Sequence, residues 1–540
     1  MRWILHAVLI AATPSFALTV PHTGSHVQAS GYLDVLGVVP TEDSRRQRPQ
    51  GLAVLRLDAD VSEHLQGRLE LRGRLGGPFE GGHPGVFNLA HTFQNYSPSL
   101  EIREGYVDWR TAAADFRVGI QQFAWGRLDG VPPTDVLNPR DYHDPFVTDF
   151  EEAKIGIPAV QATRHLPDVP RLSLGELRAT LVYVPFAVPS RLPLLEERWF
   201  PGAALARGPI RLRKLDLERQ LDEALLRRRR ACLRRKPASD CLPHDSYVVH
   251  DVSVYPSYRT GNHHAPHTFA SGAIAFRLGG TWRDVDWNLS HYTGPETGPD
   301  LAINPIVVDR YTTPNDGIFE YDPKRLDAPT TLAQQTSTIH MTGLDWATQV
   351  GATAVRGELA VFQDRPYLRT GQSLVDDRSV RSIRFPKNLA QKFYEDDHFD
   401  CTRSGRACRG AVDLGDLFVR RDSVEWGIGA DYLTHGVFLL GQLNQVVLLE
   451  RAPRLVIGDP ETRWTTVIRR RFLQDRLELE VRGVYTIERG GWFVFPRAAY
   501  TIRDGLRLRV GYLAIGGTRN SLIGQFGRND QLVLELRYGF

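Results

Sequence analysis

The sequence predicts an all-β fold, a transmembrane antiparallel β-barrel of about 16–18 strands with long extracellular loops. Three observations predict it. Apolar and polar residues alternate with a period of two over many segments of about 10 residues, the length a tilted membrane strand needs. The connections between these segments alternate between short and long. Aromatic residues gather near the segment ends, as in barrels that cross a bilayer. Composition agrees without deciding: the 540 residues are 42% hydrophobic and 24% charged, with 48 Gly and 34 Pro, too apolar for a disordered chain and too mixed for collagen. The mean hydropathy of −0.29 looks soluble because a barrel averages an apolar outer face with a charged interior. With 66 Lys plus Arg against 63 Asp plus Glu, no general affinity for polyanions follows, and nucleic acid is not an expected partner.

The first element is an apolar run from Ile4 to Ala12, preceded by Arg2 and followed by Pro14 and the small-x-small pattern Ser15-Phe16-Ala17. It reads as a signal peptide over 1–17, because a spanning helix needs about 20 apolar residues. The barrel then occupies 18–540. Candidate strands are 29–38, 50–61, 65–74, 100–110, 113–123, 155–164, 174–185, 268–279, 282–293, 335–349, 353–363, 421–432, 436–449, 461–472, 476–488, 491–502, 505–516 and 529–540. Short turns at Thr111-Ala112, Gly280-Thr281, Gly351-Ala352, Leu433 to His435, Leu473 to Asp475 and Arg503-Asp504 fall on one side. Long connections near 75–99, 124–154, 186–267, 294–334 and 364–420 fall on the other, with 194–267 and 364–420 as large external loop insertions. A sandwich has no reason to sort its loops this way, whereas an outer-membrane barrel does. Tyr106, Trp109, Trp282, Tyr292, Trp426, Tyr432, Trp464, Trp492, Tyr500, Tyr512 and Phe540 are candidates for the interfacial girdles. Pro158 and Pro496 weaken their strands, since proline cannot donate to a central ladder.

The alternation assigns faces. In the last strand Leu532, Leu534, Leu536, Tyr538 and Phe540 alternate with Val533, Glu535, Arg537 and Gly539. The same parity sends Arg68, Glu70, Arg72, Arg356, Glu358, Glu478, Glu480, Arg482, Arg507, Arg509, Glu535 and Arg537 into the lumen. Mixed-sign rows of this kind form salt-bridge ladders and a wet, polar interior rather than a catalytic site.

The segment from Phe116 to Phe146 reads FRVGIQQFAWGRLDGVPPTDVLNPRDYHDPF. With Val184-Pro185 and Pro189-Ser190-Arg191-Leu192-Pro193 it resembles a family of proteobacterial outer-membrane proteins of unassigned function, similar to porins and alginate-export barrels. The likeness is close over about residues 100 to 200 and otherwise confined to alternating strands with a terminal Phe. It implies an outer-membrane location and a C-terminal strand, ending in Tyr538 and Phe540, that addresses the barrel-assembly machinery. The large insertion at 194–267 departs from such relatives.

The loop after Trp125 is long, mixed in charge and rich in Pro and Gly, and is expected to fold inward and narrow the lumen. Trp125, Arg127, Asp129, Asp135, Asn138, Arg140, Asp141 and Asp144 are the candidate constriction residues. Their charges would set solute preference through the local field, or pair with one another to hold the loop, and the two are compatible. Calcium is disfavoured by the absence of D-x-D-x-D-G spacing.

Cys232 with Cys241 and Cys401 with Cys408 suggest two local disulfides of an exported protein. Zinc would use His244 or His398 beside them, but each pair lacks a fourth ligand. Residues 213–236 have helical spacing with a basic end at Arg227 to Arg230, suited to lipopolysaccharide phosphates or simply solvated. No nucleophile, metal-protease or phosphate-loop pattern stands in a supporting context, and His263-His264 or His291 with Ser290 reads as incidental. No metal or cofactor and no enzymatic activity are expected.

The resulting expectation is a monomeric or trimeric porin-like channel for passive passage of small solutes. It would sit among outer-membrane lipid and lipopolysaccharide, without an energy-coupling box or plug domain. Alternatives are a dedicated channel for hydrophobic or aromatic compounds and a plugged surface or adhesion barrel.

Overall fold

Eighteen antiparallel strands close on themselves into one barrel in the computed structural model. The structure describes all residues except 1–16, 20–25, 43–48, 77–98, 206–209, 213–229, 231–232, 238–246, 250–251, 261–270, 299–300, 304–305, 309–318, 322–324, 335–336, 374–381, 385–409, 414–416 and positions 131, 189, 194, 196, 372 and 453. The four cysteines, His263-His264 and most of the 213–236 segment lie outside the described residues. The wall strands are β1 His26–Pro40, β2 Gln50–Asp60, β3 Leu65–Gly76, β4 Ser99–Arg110, β5 Ala114–Gln121 and β6 Ile157–His165. They continue as β7 Leu174–Val184, β8 Ala273–Trp282, β9 Val285–Pro295, β10 Thr338–Val350, β11 Thr353–Leu368 and β12 Phe418–Thr434. The last are β13 Val437–Leu448, β14 Glu461–Phe472, β15 Leu477–Thr486, β16 Trp492–Arg503, β17 Leu506–Gly516 and β18 Gln531–Gly539. Each pairs with its sequence neighbour, and β18 pairs with β1 from Tyr32↔Gly539 to Pro40↔Gln531 to close the ring. A short strand, Ala17–Thr19, extends the sheet by pairing with the start of β1.

All 18 expected strand positions hold a strand, and the differences lie at the ends. The β8–β9 turn is Arg283-Asp284 rather than Gly280-Thr281, because the wall continues to Trp282 and Arg283 takes the left-handed conformation at φ 55°. Strand β11 runs past 363 to Leu368 through a register shift between Phe362 and Arg365, with Asp364 at φ 58°. Such a bulge breaks the two-residue alternation on which the shorter expectation rested. Pro158 pairs with Ile120 on β5, and the β6–β7 pairing begins only at Val160. Pro496 pairs with Val481 on β15, while the β16–β17 ladder skips from Val494↔Ala514 to Arg497↔Gly511. Each proline thus leaves one side of its strand without a rung, as its missing N–H requires.

Burial is inverted relative to a soluble protein. Leu534 is 50% exposed while its neighbour Glu535 is 5% exposed. Leu359 beside Glu358 and Leu479 beside Glu480 repeat the pattern. An apolar belt of this extent is not stable against water, and only a closed sheet leaves no backbone group unpaired in hydrocarbon. This wall is therefore built to span a membrane by strands; among the described residues no helix is long and apolar enough to do so.

The aromatics form two bands. Trp109, Trp282, Tyr432 and Tyr500 lie toward the short turns, and Trp464, Trp492 and Tyr512 toward the long loops, all on the exposed face. Trp426 is half-buried on β12, its indole N–H donating to Gln445. Two expected members face inward instead. Tyr106 lies under the Arg117 guanidinium, 4.1 Å from the ring centroid, and Tyr292 is 1% exposed with its hydroxyl donating to Pro295 O. Tyr106 sits three residues from Trp109, so the two cannot share a face in a two-residue repeat.

Candidate functional site

The connection between β5 and β6, residues 122–156, folds into the barrel and crosses it. Its path begins at Trp125-Gly126-Arg127. Gly126 has φ 89°, and a Cβ there would lie 2.8 Å from Pro132 Cβ and 2.9 Å from Glu358 Oε1. Only glycine serves at so tight a turn. The turn aims the N–H groups of Arg127 and Leu128 at Glu358 Oε1, at 2.5 and 2.7 Å. Thr134 donates its N–H and hydroxyl to Glu358 Oε2, at 3.1 and 2.8 Å. One wall carboxylate on β11 thus accepts four hydrogen bonds from the loop. Leu128 lies against the wall where β12 carries Gly427, at which a Cβ would come within 2.6 Å of Leu128 Cδ1.

Other bonds fan out to the rest of the wall. Arg127 Nε reaches Asp345 on β10 at 2.9 Å. Asp129 N–H donates to Gln442 Oε1 on β13 at 2.9 Å, and Asp129 pairs with Arg356 of β11 at 3.4 Å. Arg356 also pairs with Asp431 on β12. Asp149 meets Arg482 of β15 and Arg497 of β16 at 3.2 and 3.5 Å. Glu152 meets Arg537 of β18 at 3.3 Å. Asp141 meets Arg74 of β3 at 2.7 Å. The segment therefore touches walls on opposite sides of the ring.

Within the segment the charges are matched. Asp135 pairs with Arg140 at 2.7 Å and with Lys154 at 2.8 Å. Asn138 accepts from Phe123 N–H and donates to Gln121 O and Ile155 O, tying the two ends together. Asp141 lies 2.5 Å from His143 Nδ1. Burial would raise the Asp141 carboxyl, but His143 and Arg74 outweigh it and hold the group well below the usual carboxylate range. Burial raises the Asp135 carboxyl against the opposing pull of Arg140 and Lys154.

Asp144 differs: burial pushes its carboxyl up to about 7, against a hydrogen bond from Val147 N–H and the charge of Arg198. A carboxyl whose folded pKa is raised takes up a proton on folding, so its stabilising effect fades as pH rises from about 4 toward 7. We expect thermal stability to fall between pH 5 and 8, and Asp144→Asn to remove that component. Melting curves of the detergent-solubilised protein at the two pH values check it; an unchanged slope in the variant would contradict the assignment.

Charged side chains of the wall strands pair in ladders. Glu70 is held between Arg56 at 2.6 Å and Arg103 at 3.0 Å, Arg68 pairs with Asp58 at 2.6 Å, and Arg72 with Glu101 at 3.6 Å. Glu478 bridges Arg471 and Arg507, at 3.0 and 2.8 Å. Glu480 holds Arg497 at 2.7 Å and Arg482 at 3.6 Å. Arg509 pairs with Glu535 at 2.7 Å, and Arg537 with Asp34 at 3.1 Å.

Beside these ladders the interior also carries apolar surface. Inward residues near the long-loop ends of β6 to β11, among them Ala159, Val182, Ala275, Met341 and Phe362, pack on Phe123, Trp125, Val136 and Leu137 of the inserted segment. A second core joins Val147 and Trp199 to Phe495, Leu513, Ile515 and Phe526 near β16 to β18. A loop that crosses a lumen must bury apolar surface against the wall, and both faces of those strand ends become apolar as a result. Toward the short turns the ladders remain, with a recess of about 330 Å³ between the start of the inserted segment and strands β5 to β9. The described residues contain no group of three or more His, Cys, Asp or Glu arranged to hold a metal ion.

No family model and no curated protein matches the chain. Among solved structures, the chain is similar to OccAB1 of Acinetobacter baumannii, with TM-score 0.43 and 8% identity over 96% of each chain. It is likewise similar to the outer-membrane protein OpdK from Pseudomonas aeruginosa, with TM-score 0.43 and 9% identity over 95% of this chain and 98% of that one. Salmonella typhi OmpF in complex with daunomycin aligns with TM-score 0.35 and 8% identity over 97% of this chain and 100% of that one. The assignment of a barrel rests on the chain's own closed ladder.

Proposed function

We propose that this chain is an outer-membrane channel through which small solutes diffuse passively, its width set by residues 122–156. One observation carries the reading. A wall with a lipid-compatible outer face encloses charged ladders, and the segment crossing it is held by hydrogen bonds and ion pairs to the wall, contacts that can open singly. The charged groups at Arg127, Asp129, Asp149 and Glu152 then tune which solutes pass.

Liposome swelling with neutral sugars of increasing size tests this. The expected result is entry of a pentose with a sharp decline toward tri- and tetrasaccharides; no swelling at any size counts against a channel. A second reading, a channel for hydrophobic or aromatic compounds, draws support from the apolar inner surface beside Phe123 and Trp125. It predicts slow sugar entry with ready entry of small aromatic alcohols. A plugged surface barrel predicts neither. In the same reading, lipid and lipopolysaccharide surround the apolar belt, assembly proceeds through the strand ending at Phe540, and a homotrimer is the alternative to a monomer.

A further inference from the structure

The recess beneath the inserted segment has a one-sided chemistry. It is lined by Arg117, Arg178 and Arg277 and by no carboxylate. Two of these arginines are engaged from behind. Arg117 is bound by Asp108 through two hydrogen bonds of 2.6 Å. Arg277 lies 2.9 Å from Asp345, a carboxylate that also holds Arg127 at 2.9 Å. One carboxylate thus answers two guanidiniums, and the Arg277 Nε atom is buried with no hydrogen-bond partner. Arg178, on β7, is exposed to the lumen, and no ion pair or hydrogen bond joins its side chain to any described residue. The remaining walls are the rings of Phe123 and Trp125, with Arg277 5.4 Å from the Trp125 ring centroid. A guanidinium free to make two parallel bonds, beside aromatic surface, matches a planar anion attached to a flat apolar body.

We propose that this recess binds small organic carboxylates with an aromatic or similarly flat body, Arg178 taking the carboxylate and Trp125 with Phe123 the ring. The binding claim stands on the recess alone; its role as a waypoint for permeating solutes rests on the channel reading above. Because the ring of the site belongs to the inserted segment, occupancy would couple solute binding to the position of that segment.

Calorimetric titration of the full-length protein in detergent, with benzoate as the probe and benzyl alcohol and inorganic phosphate as comparisons, tests the site. Benzoate is expected to bind saturably, at least roughly tenfold more tightly than either comparison, and Arg178→Ala to weaken it by a similar factor. Arg178→Lys should restore part of the loss, and since the Arg178 side chain anchors no other described residue, the melting temperature of both variants should match the wild type. Benzyl alcohol binding as well as benzoate, phosphate competing equally, or an unaltered Arg178→Ala would each overturn the proposal. Benzoate and ion flux in liposomes separates the two claims. Binding without any flux supports the site and sinks the channel, whereas flux without binding does the reverse.

Discussion

Replacing Glu358 by alanine is expected to raise the single-channel conductance several-fold and to expose the 122–156 segment to protease. The carboxylate is 3% exposed and accepts from Arg127 N–H, Leu128 N–H, Thr134 N–H and the Thr134 hydroxyl. Hydrogen bonds to a charged acceptor are the strong kind, and losing a buried one strands its donors. Stranding these donors should cost on the order of 1–3 kcal/mol locally. That loss falls on a loop rather than on the barrel ladder, so it should appear as loop opening rather than global unfolding. Glu358→Gln keeps one acceptor oxygen but turns an amide N–H₂ toward the other donors, and an intermediate conductance is expected. Planar-bilayer recording and limited trypsin digestion read both effects. Equal conductance and digestion in all three proteins would show that this anchor does not hold the segment.

A second large effect is expected at the closure of the barrel. Gly31 of β1 exchanges backbone hydrogen bonds of 3.0 Å with Phe540 in both directions. A Cβ at Gly31 would lie 2.2 Å from Val54 O on β2 and 2.9 Å from Phe540 Cζ. The first neighbour is backbone, which cannot move aside without breaking the β1–β2 register. Gly31→Val should therefore prevent the first and last strands from meeting, leaving open edges that hydrocarbon does not tolerate. The variant is expected to lose the compact, heat-modifiable band on gel electrophoresis that a closed barrel gives, while Gly37→Ala, whose Cβ would meet nothing closer than 3.8 Å, should retain it. A folded Gly31→Val would contradict the closure described here.

Much of the wall was legible in the sequence because a two-residue period is a local property, and Leu534 or Glu535 declares its face from its immediate neighbours. Loop order was legible for the same reason: turn lengths can be counted. What escaped were facts set by distant partners. Tyr292 reads as an aromatic near a strand end, yet it faces inward at 1% exposure. The continuous apolar run Leu181 to Val188, broken by no polar residue, was the available sign that this side of the lumen is packed rather than wet. The Trp125-Gly126-Arg127 turn marked the inserted segment, but its anchor is 231 positions away from Arg127. Glu358 differs in no local respect from Glu478 or Glu480. Nor does periodicity reveal that Arg178, unlike Arg117, meets no carboxylate in the folded wall.

The central claim is that residues 122–156 narrow a membrane-spanning barrel that otherwise conducts. Single-channel recording of the wild type beside a variant with 126–137 replaced by a short Gly-Ser linker tests it most directly. The account predicts a small ohmic conductance in the wild type and one several-fold larger in the variant. Identical conductance in the two, or silence in both although each is folded and inserted, would contradict it.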